Sequence, residues 1–451
     1  MLTSNINLNR MLVRCPARRA FGTRTSRGIV SALAAAISLS FLLTACGGGA
    51  ASPHGKLTFA VFMPFSGSNA SYGPAADAGT IPAIRAINAA GGVLGHTFTY
   101  KNVDTRGDPA DAVPAANQLI ANTSGLVGIN GPTSDEASAT VPLFNRARVP
   151  TNPSTGQASF DRSTYPYFWR NTPPDAGDGA AIAYDARVIE HYSTAAAVFG
   201  NDIASQGAEP SAISVFKGLG GRIVATENIA LDGTSYETEI AKVIAAHPQV
   251  IFTEADPQTS ATFFRELRDA GGLRPFIGTD GTNTKSWANP VSQAVGATNF
   301  KRLYTIVQFG APASAGAAQY NNTLLKYPSG IQKPLSQWLN YPYALAEWDF
   351  AISEALAMLE AHSVDPRVFN PDIARVTAPG PGAVVVHSFA AGKTALQQGK
   401  RIQFIGGMGP TIYDRYHDSA GTFLVQASDQ TTIVHVIPGS AVSNLLLRFP
   451  G

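Results

Sequence analysis

Short apolar runs alternate with longer stretches of helical periodicity along most of this chain. The longer stretches, such as 72–90 and 237–246, place apolar residues three and four positions apart, which is the spacing of a buried helix face. This alternation predicts an α/β fold, in which helices connect the strands of parallel sheets. The runs that predict strands are 56–62, 97–103, 126–130, 195–199, 222–227, 250–253 and 276–278.

Residues that begin and end helices punctuate the pattern. Asp108-Pro109 combines an N-cap carboxylate with proline at the first helical position, which indicates a helix start. Gly91-Gly92 ends the preceding helix, and Pro82 predicts a kink inside it. Because ligands of parallel α/β sheets bind where strands end, we expect a site on the loops that follow the predicted strands.

The first 45 residues contain six arginines and no acidic residue, and they include an apolar run at 29–43. A basic head, a short apolar stretch and a small-residue end are typical of an export signal. The run is shorter than the roughly 20 residues of a membrane span. Its end, Leu43-Thr44-Ala45-Cys46, resembles the bacterial lipoprotein signal. That resemblance implies that Cys46 is acylated and becomes the first mature residue, whereas a buried cysteine in an ordinary signal or helix is the alternative.

Removal of this signal changes the charge and the cysteine count. The whole chain has 33 basic and 31 acidic residues, and without the six arginines 27 basic residues face 31 acidic ones. A slightly acidic domain without a basic patch does not predict nucleic-acid binding. Cys15 leaves with the signal and Cys46 takes the lipid, so we expect no disulfide, no thiolate nucleophile and no cysteine metal site. The glycine-rich segment 46–55 is typical of a flexible leash.

Motifs of the common enzyme classes do not occur in the sequence. It contains no Walker phosphate loop, no His-Glu-x-x-His and no Gly-x-Ser-x-Gly. Gly218-x-Gly220-Gly221 precedes a predicted strand rather than following one, so it indicates a helix C-cap and a turn instead of a dinucleotide site. The eight histidines are scattered. We therefore expect no enzymatic activity, no cofactor and no metal.

Several motifs, each weak alone, follow one another in a defined order from about 56 to 355. They are Phe65-Ser66-Gly67, Tyr72-Gly73, Ile87-Asn88-Ala89-Ala90-Gly91-Gly92, Asp108-Pro109, Gly131-Pro132-Thr133-Ser134, Asn152-Pro153-Ser154, Tyr167-Phe168-Trp169-Arg170-Asn171, Phe264-Arg265 and Gly278-Thr279-Asp280-Gly281. In this order and spacing the chain resembles the leucine/isoleucine/valine-binding protein family, the type I periplasmic substrate-binding proteins of ABC transporters.

The resemblance implies two doubly wound, Rossmann-like α/β lobes that are joined by a hinge of three strands and close on a ligand. About 400 mature residues suit two lobes of ordinary size. After the signal at 1–45, we expect the first lobe at 56–173 and 306–376 and the second at 174–305 and 377–451. In the second lobe we expect strands at 402–407 and 421–427, with edge strands at 431–437 and 445–447.

The resemblance also implies partners and a location. A protein of this family captures a small molecule, such as an amino acid, and delivers it to an ABC permease in the membrane. We expect a monomer outside the cytoplasm that is tethered to the membrane through the lipid on Cys46.

One side of the family site transfers onto three loops of the first lobe. Tyr72 matches the aromatic that walls the ligand. Ser134 and Asp135 match the loop whose hydroxyls bind the ligand carboxylate, and Ser154 and Thr155 match the second donor loop. Because Asp135 would repel a carboxylate, either it is merely the N-cap of the following helix or the ligand lacks a carboxylate there.

The other side concerns the amino end of the ligand. Asp280 matches the acidic residue that pairs with a ligand ammonium, and a turn aspartate before Gly281 is the alternative. Ala204 takes the place of an expected aromatic. A second expected aromatic appears as Asp256, or as Ala255 if the register shifts by one.

Trp338 or Tyr343 supplies an aromatic from the segment that leads into a predicted helix at 344–360. A pocket with these replacements is more acidic and less aromatic than a leucine pocket. We therefore expect a ligand with a cationic or amide end.

Two functions outside transport stay open. A sensory ligand-binding protein of the same fold is one, although no transmembrane helix or effector domain follows in this sequence. An extracytoplasmic hydrolase is the other, and it would need a nucleophile–base pair, for which the sequence shows no recognisable spacing.

Overall fold

The computed structural model describes residues 55–67, 69–310, 312–419 and 421–449, which form one compact unit. The predicted signal at 1–45, the lipid attachment at Cys46 and the leash up to residue 54 lie outside these residues. Within the described ranges, no helix combines the length and the apolar character that a membrane crossing requires.

The strands predicted from apolar runs are all confirmed, to within three residues at either end. The strands are β1 Lys56–Met63, β2 Thr97–Asp104, β3 Leu126–Thr133, β4 Thr151–Ser154, β5 Thr194–Gly200, β6 Arg222–Ile229, β7 Val250–Glu254, β8 Phe276–Gly278, β9 Tyr304–Phe309, β10 Val384–Val386, β11 Ile402–Gly406, β12 Gly409–Pro410, β13 Phe423–Ala427 and β14 Ile433–Ile437.

Helices connect these strands, as the alternation predicts. They are α1 Tyr72–Ala89, α2 Pro109–Asn122, α3 Ser134–Ala147, α4 Asp175–Tyr184, α5 Ile203–Gln206, α6 Glu209–Gly218, α7 Glu237–Ala246, α8 Pro257–Asp269, α9 Lys285–Val295, α10 Ala297–Leu303, α11 Ala315–Lys326, α12 Pro342–Glu360, α13 Pro366–Phe369, α14 Asp372–Thr377, α15 Phe389–Gln397 and α16 Gly439–Arg448. The Asp108 carboxylate caps α2 as predicted, because it accepts a hydrogen bond from the Ala110 backbone N–H.

The first lobe is built on a parallel sheet with the strand order β2-β1-β3-β4. Because strand residues alternate between faces, β1 contributes to two cores. Phe59 packs in the core shared with α1 and α12, whereas Ala60 and Phe62 pack with α2 and α3. Both faces of the sheet are therefore covered, as a doubly wound fold requires.

The second lobe is built on a sheet with the strand order β14-β13-β9-β8-β7-β5-β6. Strands β5 to β9 are parallel, and β13 joins β9 in antiparallel orientation. Ala197 and Phe199 of β5 face the core that contains α4 and α6, and Val198 faces the core that contains α7 to α10.

Helix α12 is buried from Pro342 to Leu359, because its many apolar residues are spread over all sides of the helix. It lies between the first sheet and a small third sheet with the order β10-β11-β12. Two of its buried acids accept hydrogen bonds from other elements. Glu347 accepts them from β4, and Asp349 accepts them from the backbone N–H groups of Gly407 and Met408.

The chain passes between the lobes at three places: after Asn171, after Phe309 and between Pro410 and Phe423. Two of these passages pair with each other through the fully buried Arg170. Its guanidinium Nε donates to Asp418 Oδ1 at 2.7 Å, and a terminal nitrogen donates to Asp161 Oδ1 at 2.7 Å.

Two expectations about the C-terminal part need correction. Residues 402–406 form a strand, but β11 belongs to the small third sheet beside α12 and not to the second lobe. Residues 445–447 lie in helix α16 rather than in an edge strand, because Val442 and Leu445 recur at helical spacing and face the core. Strands β13 and β14 do form, with β14 at the sheet edge. The lobe bounds at 306 and 377 stay a prediction, although residue 306 lies inside β9.

Candidate ligand-binding cleft

A narrow cleft lies between the carboxyl ends of the two sheets. Loops after β1, β3 and β4 of the first lobe and loops after β5, β7 and β8 of the second contribute to it. Its volume is about 20 Å³, which is enough for roughly one water molecule. The lining residues are Asn69, Tyr72, Thr133, Ser134, Asp135, Ser154, Gly156, Asp175, Ala204, Glu254, Asp280 and Tyr343. The cleft therefore brings together five predicted ligand contacts, Tyr72, Ser134, Asp135, Ser154 and Asp280, and Tyr343, which was one of two alternatives.

The first lobe places a serine, Ser134, at the cleft, and this residue is the first of α3. Ser134 Oγ and Thr155 Oγ1 are hydrogen-bonded to each other at 2.9 Å. Gln157 Nε2 donates to the Ser134 carbonyl at 2.8 Å, which holds the loop in place. Thr155 is 1% exposed and does not line the cleft, so Ser134 is the residue of this pair that lines it.

Ser154 lines the cleft, but its hydroxyl points into the core. Ser154 Oγ donates to Glu347 Oε1 at 2.5 Å, and Asn152 Nδ2 donates to Glu347 Oε2 at 2.8 Å. Burial raises the pKa of Glu347 to about 8, and the two donors limit that rise. Ser154 therefore links β4 to α12, and its side chain is already paired within the protein.

Asp135 lies in the first turn of α3 and does not cap it. The N-cap residue is Thr133, so the prediction that Asp135 is the N-cap is wrong. Asp135 Oδ2 accepts a hydrogen bond from Asn69 Nδ2 at 2.7 Å, across the cleft wall. Burial raises the pKa of Asp135 to about 6, with a further contribution from Asp202. The first lobe therefore presents a carboxyl group to the cleft.

The second lobe presents more carboxyl groups, centred on Asp280. Burial raises the pKa of Asp280 to about 6, and the hydrogen bond that Tyr343 donates to it limits the rise. Glu254 Oε2 accepts a hydrogen bond from Thr279 Oγ1 at 2.6 Å, and burial together with Asp280 raises its pKa well above the usual range. Burial and Asp280 raise the pKa of Asp175 to about 8 in the same way.

One further acid stands behind these three. Asp178 in α4 is 2% exposed, and its Oδ1 lacks a partner among the described residues. Burial, Asp280 and Asp175 raise its pKa well above the usual value. The sequence pattern did not predict Asp175, Asp178 or Glu254 as site residues.

Asp256 lies outside the cleft. It is the N-cap of α8, and its Oδ1 accepts hydrogen bonds from the backbone N–H groups of Gln258 and Thr259. Glu254, two residues earlier at the end of β7, occupies the cleft instead. The Asp256-Pro257 dipeptide carries the same helix-start signal as Asp108-Pro109, so the sequence contained the information that assigns it to a cap.

Aromatic side chains close one side of the cleft. The Tyr72 and Tyr343 rings meet edge to face with centroids 5.1 Å apart. Of the two aromatics considered before the helix, Tyr343 lines the cleft. Trp338 contacts Tyr341 and lies outside it, on the wall of a neighbouring cavity.

Two glycines enclose the side chain of Asp175. A Cβ atom at Gly156 would overlap Asp175 Oδ1, and one at Gly207 would overlap Asp175 Oδ2. The Asp175 backbone N–H also donates to the Gly156 carbonyl at 2.8 Å. The first lobe approaches α4 this closely because residue 156 has no side chain.

The cleft as a whole is acidic. Asp135, Asp175, Glu254 and Asp280 line it, and no lysine or arginine is among its described lining residues. Carboxylates held this close repel one another, and this repulsion adds to the effect of burial in raising their pKa values. A ligand with a positive charge would relieve that repulsion.

Comparison with known proteins identifies the family of this chain and several of its relatives. The family model described as "Periplasmic binding protein" matches residues 56–364. The chain is 26% identical over 262 residues to a Leu/Ile/Val-binding protein homolog 3 from Brucella melitensis, covering 56% of this chain and 67% of that protein. It is 23% identical over 227 residues to an amino acid binding protein from Pseudomonas aeruginosa, covering 50% of this chain and 60% of that protein.

Solved structures share the fold at low sequence identity. The substrate-binding protein LivJ of a branched-chain amino acid transporter from Streptococcus pneumoniae, in complex with isoleucine, is similar with a TM-score of 0.66 and 19% identity. The similarity covers 85% of this chain and 99% of that one. A fatty acid ABC transporter substrate-binding protein from Thermomonospora curvata is similar with a TM-score of 0.66 and 15% identity, covering 86% and 94%.

Proposed function

This chain belongs to the periplasmic binding protein family, and from that premise we propose that it captures a small cationic solute outside the cytoplasm for an ABC importer. The family prediction made from ordered motifs is confirmed, and so is the two-lobed α/β fold. The solute class is our inference from the cleft. The proposed ligand is a basic amino acid or a related amine.

The observation that carries this proposal is the set of carboxyl groups from both lobes. Asp135 faces the cleft from one side, and Asp175, Glu254 and Asp280 face it from the other. An ammonium or guanidinium group donates hydrogen bonds to such oxygens and also neutralises their repulsion. An anionic ligand would add repulsion, and a neutral apolar one would leave the acids unpaired.

The Brucella melitensis and Streptococcus pneumoniae proteins are named for branched-chain amino acids. The cleft here favours a ligand with a different side chain. Ala204 lines the cleft where an aromatic would enclose an aliphatic group. Glu254 and Asp175 stand on the same side. We propose that they take a second positive charge, while Asp280 takes the α-ammonium and Ser134 offers a hydroxyl to the polar remainder of the ligand.

Closure of the lobes supports a capture mechanism. Tyr343 of the first lobe donates to Asp280 of the second at 2.6 Å, and the cleft between them has room for about one water molecule. A ligand of amino-acid size must therefore enter while the lobes are apart. Contacts to both walls then favour the closed state, because a ligand shifts an equilibrium only through its differential affinity.

The proposed location rests on the sequence of the first 46 residues. An arginine-rich head, an apolar run and Leu43-Thr44-Ala45-Cys46 support export and acylation of Cys46. An acyl-anchored binding protein stays near its permease without spanning the membrane.

Isothermal titration of the purified protein tests the proposal. The panel is L-lysine, putrescine, L-leucine and L-glutamate at pH 7.5. We expect saturable binding of lysine or putrescine, with roughly micromolar dissociation constants, and recovery of the ligand unchanged. Tight binding of leucine or glutamate without binding of either cation would overturn the ligand class, and conversion of the ligand would overturn the transport role.

A further inference from the structure

A second, larger cavity lies next to the cleft: Ser71 and Pro342, which line the cavity, are the chain neighbours of Tyr72 and Tyr343, which line the cleft. Its volume is about 570 Å³, within the range of about 300–1,000 Å³ that is usual for small-molecule sites. Residues of both lobes line it, among them Ser71 and Trp338 from the first and Asn283 and Gln426 from the second. It is therefore an interlobe cavity, like the cleft, but with different chemistry.

Amide side chains dominate the polar part of this cavity. Asn283 is 6% exposed and Gln426 is 7% exposed, and both line the wall. Asn283 Oδ1 and Gln426 Oε1 have no hydrogen-bond partner among the described residues, and neither has Gln337 Nε2. Within the described part of the chain, these are all of the buried asparagine and glutamine atoms that lack a partner, and all three residues line this one cavity.

Neighbouring groups hold two of the cavity's amides in place. Asn283 Nδ2 donates to Gln308 Oε1, which leaves the Asn283 carbonyl oxygen free for another donor. Gln430 Nε2 donates to the Thr284 carbonyl at 3.1 Å. Buried polar groups in proteins are nearly always paired, so this wall is prepared for a partner that the protein itself does not supply.

The unpaired atoms define the partner's chemistry. Two amide oxygens require donors, and one amide nitrogen requires an acceptor. A carboxylate only accepts hydrogen bonds and an ammonium only donates them, so neither satisfies all three atoms. A hydroxyl group does both.

The charge and the apolar part of the wall narrow the class further. The cavity is lined by one lysine, Lys285, and one aspartate, Asp429, both exposed, so its formal charge is zero. The rings of Trp338 and Tyr341, whose centroids are 5.6 Å apart, form an apolar face with Leu345 and Leu424. A wall that combines aromatic rings with polar amides suits a ring that carries hydroxyl groups on its rim.

We propose that this interlobe cavity is a second binding site, and that it takes a neutral polyhydroxylated ring of the sugar class. The site is distinct from the acidic cleft in its residues and in its charge. The short turn Asp280–Thr282 lies between the two, with Asp280 on the cleft and Asn283 on the cavity. Residues of both lobes line each of the two sites, so each is placed to bind a ligand between the lobes.

Titration of the full mature protein with three sugars of matched size tests the proposal. The probes are D-glucose, which is neutral, D-glucosamine, which is cationic, and D-glucuronate, which is anionic. Ligand-detected NMR and isothermal titration report binding. We expect glucose to bind with a roughly millimolar or lower dissociation constant, and both charged probes to bind at least about tenfold more weakly.

Two variants place the binding in the cavity. Gln426→Leu removes an amide oxygen, and Ser336→Phe puts a ring into the cavity from an exposed position. Each should weaken glucose binding about tenfold or more while the melting temperature shows a folded protein. Asp256→Asn, which removes a charge at a helix cap outside both the cleft and the cavity, should change glucose binding less than about twofold.

Several outcomes would overturn the inference. They are no glucose binding at about 50 mM, equal binding of the charged probes, or unchanged binding in both cavity variants. None of them bears on lysine or putrescine binding in the cleft, so this inference and the proposed function fail independently.

Discussion

The Tyr343 hydroxyl donates a 2.6 Å hydrogen bond to Asp280 Oδ2, and the two residues stand on opposite walls of the cleft. The bond joins the start of α12 to the turn after β8, so it links the two lobes directly. The same carboxyl group is the one that we assign to the ligand ammonium. A bond within the protein and a bond to the ligand thus use one side chain.

Tyr343→Phe should loosen the unliganded protein. The variant keeps the ring that packs on Tyr72 and removes only the donor to Asp280. A hydrogen bond to a charged group contributes about 1.5–3 kcal/mol, so we expect the open population to grow by roughly tenfold or more. Small-angle X-ray scattering should show a larger radius of gyration. Tyr341→Phe, in the same aromatic cluster, is the control and should leave the radius unchanged; an identical effect of both would contradict the assignment.

Asp280→Asn should abolish binding of a cationic ligand. Loss of one partner from a buried ion pair costs about 3–5 kcal/mol, which corresponds to roughly 100-fold or more in affinity. The matched control is Asp256→Asn, which changes the same charge at a helix cap outside the cleft and should leave the affinity within about twofold. Isothermal titration with L-lysine measures both. Equal losses in the two variants would show a general charge effect rather than a contact.

The unliganded protein should lose stability as the pH rises from about 5 to about 8. Burial raises the pKa of Asp280 to about 6 and of Asp175 to about 8. Both values exceed those of an unfolded aspartate, so in this window the folded state binds more protons than the unfolded state, and stability falls as the protons leave. Asp175→Asn should flatten the dependence of the melting temperature on pH, by roughly 2 °C per pH unit. A wild-type melting temperature that rises across the window would contradict these pKa directions.

The two serines of the first lobe should behave differently when truncated. Ser154→Ala removes the donor to the buried Glu347, so we expect about 1–3 kcal/mol of destabilisation and little change in affinity. Ser134→Ala, at the start of α3, should weaken ligand binding and have a smaller effect on stability. Denaturant unfolding and titration of both variants separate the roles. The reverse result would mean that Ser154, and not Ser134, contacts the ligand.

Cys46→Ala should release the protein from membranes. If Cys46 carries the lipid, its removal eliminates fatty-acid labelling and moves the protein to the soluble fraction. Cys15→Ala changes the other cysteine of the chain, inside the predicted signal, and should leave labelling and fractionation unchanged. Labelling that survives in Cys46→Ala would rule out this attachment site.

Sequence periodicity predicted the elements well because each strand or helix is specified by its own apolar residues. The strands at 195–199 and 250–253 are buried on both faces and therefore appear as continuous apolar runs. The placement of β11 beside α12 was not predictable in this way. Its burial alternates along five residues, and nothing in that pattern states which sheet or helix it packs against.

The cleft was only partly predictable, for a related reason. Tyr72 and Asp280 follow strands at defined positions, so the motif order located them. Asp175 begins α4, just after the chain passes from one lobe to the other. It does not follow a strand directly, so the rule that ligands bind where strands end did not locate it. The choice between Trp338 and Tyr343 depends on where α12 begins and how it is rotated, because Trp338 precedes the helix and Tyr343 lies in its first turn. Apolar residues on all sides of the helix do not fix that rotation.

The contact between Gly156 and Asp175 has a consequence for how this protein could change. The lobes meet there because a hydrogen atom stands where a methyl group would overlap a carboxylate. An alanine at position 156 would hold the two lobes slightly apart without removing any proposed ligand contact. We expect such a variant to fold and to bind the proposed cationic ligand, but without complete closure of the two lobes around it. Full closure of the two lobes thus depends on glycine at position 156.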